Sequence, residues 1–352
     1  SFVTAGVSKK DFQALDSYLT ELAFYYYTNE IKECNRAQLD KFHSAFLEKY
    51  DLAEETISFS NELLNANILH SDGHSYYFRY PYVYYFYVAK YFSKNLGDAT
   101  IQSEIKRICS HLYMPIYANI IMFMTHNDNN KVVIEEVLNT TRNLFEATPE
   151  ASFKGDIEKI DSLASNIPEL ILSDRSVDDV TEERQEALDN GHQNIEELKD
   201  SSTDEWIKND KPFLNDLSTL MKPSQIIMAF KLLELIGQIM KSNYASLDGP
   251  TKLQLCEEAY SLTLRTLREF YQDLNECQDV LIEVVLDLLS EENKEKDDIE
   301  AVRQAARNVV FGMAANISKA IIKKSSINLG SIDIQKTLSK ALANNSSSVA
   351  KM

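Results

Sequence analysis

Glycine and proline, the two residues that turns and loops use most, are scarce in this sequence. Nine glycines and seven prolines occur among 352 residues, which is few for a β-rich or loop-rich protein. The phosphate-binding loops of nucleotide enzymes also depend on glycine, and neither GxxxxGK[ST] nor GxGxxG is present. The composition therefore favours a mainly helical chain and argues against nucleotide chemistry of these two kinds within it.

Cysteine is scarce as well, and its spacing suggests no metal site. The four cysteines form no CxxC pair, which is typical of buried thiols in a reducing compartment. No signal peptide is recognisable, and the apolar run 114–124 is too short to span a bilayer. We therefore expect a cytoplasmic protein without a membrane partner. Because the chain begins without methionine and ends in a polar tail, we also expect a fragment of a larger protein.

Candidate catalytic groups are equally few. The six histidines lack acidic or cysteine partners at metal-ligand spacing, and no Ser/His/Asp or Cys/His set has supporting context. Neighbouring carboxylates such as Asp178 and Asp179 point in different directions on a helix, so they are surface charge rather than an acid/base pair. We predict that the chain is not an enzyme and that it holds neither a metal nor a cofactor.

The stretch Ser75–Phe92 is the most unusual feature that is present, because eleven of its eighteen residues are aromatic. Pro81 suits the first turn of a helix, where its missing N–H costs nothing. From there apolar side chains cover nearly the whole circumference, which is typical of a helix buried on all sides. Since tyrosine hydroxyls can still reach partners or water, we predict a helix wedged between two packed units.

The residues before this helix predict a small winged-helix-like domain. Apolar spacing indicates helices over 11–27, 36–50 and 53–67. The Asp72-Gly73 pair between two β-prone runs indicates a two-stranded hairpin within 67–79. Three helices followed by a hairpin is the order of a winged-helix domain.

Only helices are predicted after Gly97. The predicted segments are 101–113, 116–126, 132–145, 153–172, 224–242, 251–274, 279–289 and 299–324. Residues 177–205 hold eleven acidic residues against Arg184 and Lys199, so they indicate a solvated helix or linker. We predict a mainly α protein with four parts: a winged-helix-like domain at 1–80, the aromatic linker helix and short helices at 81–175, an acidic linker at 176–222, and a bundle of long helices at 223–352. No fixed repeat period distinguishes that bundle from a helical-repeat array.

Apolar rows on the last helices are expected to face the core. On the predicted helices 279–289 and 299–324 the residues at helical spacing are Val280, Val284, Val285, Leu288, Val302, Ala306, Val309, Met313, Ile317 and Ile321.

Residues 78–89, FRYPYVYYFYVA, resemble the end of the winged-helix domain in NACHT- and NLR-like STAND NTPases. That motif has the form F-x-H-x-x-[FV]-x-E-[YF]-[FL]-x-A and follows a nucleotide-binding core. Four of its positions match here, at Phe78, Val83, Phe86 and Ala89. The resemblance is detailed over about residues 10–145 and general beyond them, where the chain is similar to bacterial STAND proteins of antiviral defence.

Two of the departures from the motif matter. Tyr80 stands at the histidine that approaches the nucleotide phosphate in many members of the family, and Tyr85 stands at the glutamate. Tyrosine can donate a hydrogen bond but carries no positive charge at neutral pH. The resemblance therefore implies at most a weak nucleotide-sensing role for Tyr80.

The resemblance implies a regulatory role for this chain next to an ATPase module that lies outside it. The implied partners are an upstream nucleotide-binding module and a protein trigger or further copies of the chain. The implied interdomain packing residues are Phe78, Tyr82, Val83, Tyr84, Tyr85, Phe86 and Ala89.

Two alternatives remain open from the residues alone. A winged helix can be a DNA-binding transcriptional regulator, with the third predicted helix, 53–67, as the reading helix. That helix contains Glu54, Glu55 and Glu62 but no Lys or Arg, and the net charge of the chain is −18, so nucleic acid is an unfavourable partner. The chain could equally be a stand-alone helical scaffold for protein–protein interaction.

Overall fold

The computed structural model describes residues 9–52, 59–127, 131–152, 222–292 and 299–344. Its N-terminal elements are α1 (Lys9–Thr28), β1 (Glu33–Asn35), α2 (Arg36–Tyr50), α3 (Phe59–Asn65), β2 (Leu69–Ser71) and β3 (Ser75–Phe78). The strands form an antiparallel sheet in the order β1-β3-β2, with Cys34 opposite Tyr76 and His70 opposite Tyr77. The predicted mainly α fold, with a small winged-helix-like unit followed by helices, is confirmed.

Local signals account for the boundaries of these elements. Asn35 caps α2 by accepting a hydrogen bond from the Gln38 N–H, and the Gln38 side chain accepts one from the Asn35 N–H, both at 2.9 Å. In the hairpin, Asp72 Oδ1 accepts the N–H groups of His74 and Ser75. Gly73 has a φ of 92°, the left-handed backbone that the Asp-Gly pair predicts.

Strand β1 is absent from the sequence prediction, which has only a two-stranded hairpin. It is only three residues long, with Cys34 as its one buried side chain, which is too short for an alternating pattern to be recognised. It forms because it pairs with β3, about 40 residues further along the chain, which a local pattern does not reveal.

Helix α4 (Pro81–Lys94) has Pro81 in its first turn, as predicted, and packs mainly against α1 and α6. It is followed by α5 (Ala99–Cys109), α6 (Pro115–Asn127) and α7 (Lys131–Asn143). The expectation that α4 is buried on all sides is wrong at its start, where Tyr82 is 58% exposed. A tyrosine ring whose hydroxyl meets water tolerates this position better than a purely apolar side chain would.

The C-terminal elements are longer than predicted. They are α8 (Lys222–Ser242), α9 (Gly249–Glu292), α10 (Ile299–Leu329), a short 3-10 helix (Ile332–Ile334) and α11 (Gln335–Asn344). The two helices predicted over 251–274 and 279–289 are one, because the intervening residues 275–278 contain no glycine or proline to end it. The last two elements were not predicted.

The described residues belong to two compact units. The first takes in the described parts of Ser1–Glu146, Leu220–Thr263 and Lys324–Ser346, and the second those of Ala147–Thr219, Leu264–Lys323 and Ser347–Met352. The domain boundaries predicted after residues 80, 175 and 222 stay predictions. The predicted helix 153–172 and nearly all of the predicted acidic linker lie outside the described residues.

The predicted apolar rows of the last helices are only partly part of the core of the second unit. That core consists of Leu274, Ile282, Ala306, Val310 and Ala314. Ala306 and Ile321 are buried as expected, but six residues assigned inward are 42–65% exposed: Val280, Val284, Leu288, Val309, Met313 and Ile317. Each helix has apolar residues on more than one face, and helical spacing alone does not say which face packs.

Two glycines in long helices give a matched test of packing in the structure. A Cβ on Gly237 of α8 would lie 2.4 Å from the backbone oxygen of Asn328 in α10, whereas a Cβ on Gly312 would meet nothing within 4 Å. We expect Gly237→Ala to lower the free energy of unfolding by about 1–3 kcal/mol, as overpacking does. We expect Gly312→Ala to raise it by up to about 1 kcal/mol through helix propensity. Urea unfolding measures both, and equal effects would contradict the close approach.

Candidate functional site

The start of α4 presents two stacked tyrosines and an arginine, which we call the first-turn patch (Arg79, Tyr80 and Tyr82). Tyr80 and Tyr82 are 41% and 58% exposed. Their ring centroids are 5.5 Å apart with an interplanar angle of 26°. The Arg79 guanidinium lies 5.7 Å from the Tyr80 ring centroid and donates a hydrogen bond of 2.7 Å to Asn67 Oδ1.

The backbone fixes where these rings stand. A residue before proline is restricted to extended conformations, and Tyr80 has φ −124° and ψ 120°. Tyr80 is the N-cap of α4 and makes no side-chain cap hydrogen bond; its ring stacks on that of Tyr82 instead. The nucleotide-sensing position implied by the resemblance is therefore an exposed ring on an ordered turn.

Buried aromatic contacts support the patch from beneath. Phe78, the last residue of β3, meets the Tyr26 ring edge to face at 5.5 Å and the Tyr84 ring at 5.5 Å. The Tyr26 hydroxyl donates a hydrogen bond of 2.6 Å to the backbone oxygen of Tyr76, which ties α1 to β3. Burial raises the pKa of the Tyr84 hydroxyl, so this ring stays neutral.

The remaining predicted packing residues lie along α4 with graded burial. Val83 and Tyr85 are half-buried, and Ala89 is fully buried. The half-buried Phe86 ring meets Phe123 of α6 edge to face at 5.8 Å. Within the first unit, α4 therefore connects the winged-helix-like elements to the helices after it. A role as a joint between domains stays a prediction.

An ion pair between α4 and α1 was not anticipated from the sequence. Lys90 Nζ lies 2.6 Å from Asp16 Oδ1, and both side chains are mostly buried. Burial and the Asp16 carboxylate raise the pKa of the Tyr87 hydroxyl, which also hydrogen-bonds to Asp16. The pair joins residues 74 positions apart, so no local pattern could have indicated it.

A second unpredicted polar cluster joins α1, α5 and α6. Arg107 donates hydrogen bonds to both carboxylate oxygens of Glu104, at 2.7 Å from Nη2 to Oε1 and 2.9 Å from Nε to Oε2. Its Nη2 also lies 3.1 Å from the hydroxyls of Tyr27 and Tyr117, and Tyr27 donates to Glu104. Burial alone would raise the pKa of the Glu104 carboxyl, but the hydrogen bonds from Arg107 and Tyr27 hold it below its usual value of 4.5.

The chemistry of the first-turn patch suits binding. Tyrosine rings and a guanidinium stack on flat groups and donate hydrogen bonds.

Among the residues that the structure describes, no three His, Cys, Asp or Glu side chains are grouped as a metal site would require. In the same described part of the chain, no helix combines the length and apolarity needed to cross a membrane. The predictions that the chain is not an enzyme and holds no metal or cofactor stay predictions.

Residues 32–88 match the model of the family described as novel STAND NTPase 4. The matched residues run from just before β1 to Val88 in α4, and so include the whole first-turn patch. No curated protein and no solved structure matches the chain. The family match supports a relation to STAND NTPases.

Truncation of one buried and one exposed aromatic side chain tests which part of α4 is covered. We expect Phe92→Ala, which removes a fully buried ring, to lower the free energy of unfolding by roughly 3–5 kcal/mol. We expect the exposed Tyr82→Ala to change it by no more than about 0.5 kcal/mol. Thermal or urea unfolding of the two variants gives the comparison. A large loss in Tyr82→Ala would mean that its ring is covered.

The Glu104 cluster predicts a pH-dependent contribution to stability. A carboxyl whose folded pKa is depressed stabilises the fold above its unfolded pKa and loses that contribution as the pH falls through the folded value. We expect Glu104→Gln to cost roughly 1.5–3 kcal/mol at neutral pH, as lost hydrogen bonds to a charged group do. The difference from wild type should shrink as the pH falls below 4.5, the usual value for this group.

The matched control is Glu135→Gln, which changes an exposed carboxylate on α7. It should alter stability by less than about 0.5 kcal/mol at every pH. Urea unfolding of both variants between pH 3 and pH 7 makes the comparison. A Glu104→Gln deficit that is constant with pH would refute the assigned role of the charge.

Proposed function

We propose that this chain is the non-catalytic regulatory portion of a STAND-type NTPase of bacterial antiviral defence. In this proposal it acts in the cytoplasm, holds no cofactor, and couples binding of a protein trigger to an upstream nucleotide-binding module. The observation that carries the proposal is the family match over residues 32–88. That match covers β1, α2, α3, the hairpin and α4 as far as Val88.

The first-turn patch is the surface best suited to receive the nucleotide-binding module. Tyrosine and arginine are enriched among the residues that dominate binding energy at protein interfaces. The patch is exposed, yet Pro81 restricts the backbone of Tyr80 and the hydrogen bond to Asn67 restrains the Arg79 side chain. A partner that binds it therefore pays little ordering entropy.

Helix α4 supplies a route by which contact at the patch could reach the helices beyond it. Its start carries Tyr80 and Tyr82, its middle contacts α6 through Phe86 and Phe123, and its end is held to α1 by Lys90 and Asp16. A switch of this kind requires two packings of one interface, each favoured by a different ligand.

The two alternatives have less support. Helix α3, the described part of the predicted DNA-reading helix, carries Glu62 and no Lys or Arg, so it would repel phosphates. A stand-alone scaffold would leave the patch and the motif positions around it without a role.

The proposal predicts that nucleotide affinity belongs to the neighbouring module. Translating the reading frame upstream of Ser1 should reveal a GxxxxGK[ST] loop. Calorimetric titration of ATP into this chain alone should give no binding isotherm, because the phosphate loop is lacking.

When the upstream module is added, this chain should bind it. The double variant Tyr80→Ala with Tyr82→Ala should weaken that binding at least about tenfold.

Tyr244→Ala is the matched control, since Tyr244 is 48% exposed and lies outside the family match. It should leave binding of the module unchanged. A reading frame with no phosphate loop would contradict the proposal. So would micromolar binding of ATP by this chain alone, or a double variant that binds the module as wild type does.

A further inference from the structure

Two rows of apolar side chains in the second unit are exposed to solvent. The α9 row is 51–65% exposed and consists of Val280, Val284 and Leu288. The α10 row is 42–48% exposed and consists of Val309, Met313 and Ile317. Residues four apart lie on one helix face, so each row is continuous over two turns, roughly 12 Å of helix.

These rows lie beside the apolar faces that already pack. The second unit buries Leu274 and Ile282 of α9 with Ala306, Val310 and Ala314 of α10. A surface helix needs one apolar face to hold it on a core. A second, continuous apolar row on each of two helices is a feature of a binding surface.

The two rows lie in opposite electrostatic surroundings. Residues 273–288 of α9 contain five acidic residues and no basic one, whereas residues 302–323 of α10 contain four basic residues and no acidic one. Glu276 and Asp287 are exposed beside the α9 row, and Lys319 and Lys323 are exposed beside the α10 row. The same attraction already acts within the chain, where Arg303 Nη2 lies 3.0 Å from Glu283 Oε1.

We propose that the α9 row of one copy of this chain docks on the α10 row of a second copy. The acidic residues beside the α9 row are complementary in charge to the basic residues beside the α10 row, and the two rows have the same length. One chain therefore carries both halves of the contact. Around a twofold axis the contact would occur twice, since each copy offers one row of each kind. The proposal is independent of the first-turn patch and of nucleotide binding.

Exchange of charges between the rows tests the pairing. Variant A carries Glu276→Lys and Asp287→Lys, and variant B carries Lys319→Glu and Lys323→Glu. In either variant alone the substituted positions beside the two rows carry the same sign as the residues they would face, so we expect self-association to weaken at least about tenfold. In an equimolar mixture of A and B the lysines beside one row face carboxylates beside the other, so the affinity should return to within about threefold of wild type.

Sedimentation velocity of the full chain over a concentration series, at low and moderate salt, provides the measurement. The control variant Glu48→Lys with Glu135→Lys has the same charge change as variant A, at exposed positions outside the rows. It should associate like wild type. Circular dichroism melts check that each variant is folded.

The apolar contribution is tested separately by Val284→Ser and Met313→Ser. Each removes one exposed side chain and should weaken association at least about fivefold while leaving the melting temperature unchanged. Wild type that stays monomeric up to about 1 mM would overturn the proposal. A mixture of folded A and B that remains monomeric would overturn it as well.

Discussion

The packing of α4 against α1 is the contact on which the first unit depends. Phe92, Val88 and Ala89 are completely buried, and the Tyr91 and Phe24 rings stack with an interplanar angle of 8°. Each fully buried large side chain contributes about 1.5–3 kcal/mol. Because the same helix also packs on α6, the winged-helix-like elements and the short helices after them share one apolar centre.

Polar contacts at the edge of that centre determine how the helices are oriented. Apolar packing tolerates small shifts, whereas the Lys90–Asp16 pair between α4 and α1, and the bonds from Arg107 of α5 to the Tyr27 and Tyr117 hydroxyls, each require one geometry. Both sets of contacts are partly shielded from water, so a helix that slid by one turn would leave a polar group without its partner. This combination explains how a unit rich in interchangeable aromatic rings can hold a single arrangement.

Sequence reasoning succeeded where the signal was local. Pro81 marked the start of α4, and the Asp72-Gly73 pair marked the hairpin, because each fixes backbone conformation within a few residues. It failed for β1, which exists through pairing with a distant strand, and for Glu104 and Arg107, whose tyrosine partners lie on other helices. It also chose the wrong apolar face on α10, since Val309 and Val310 are equally apolar and only tertiary packing separates them.

The cysteines of the chain differ in accessibility, and this gives a practical advantage. Cys34, Cys109 and Cys256 are buried, whereas Cys277 is exposed. Burial raises the pKa of Cys256 to about 12 and that of Cys109 well above its usual value, which suppresses their reactive thiolates. Cys277 precedes Val280 by three residues and lies on the same side of α9. A thiol-reactive fluorophore would therefore label the unmodified protein beside the α9 row, so that its surroundings could be followed by spectroscopy without any engineered cysteine.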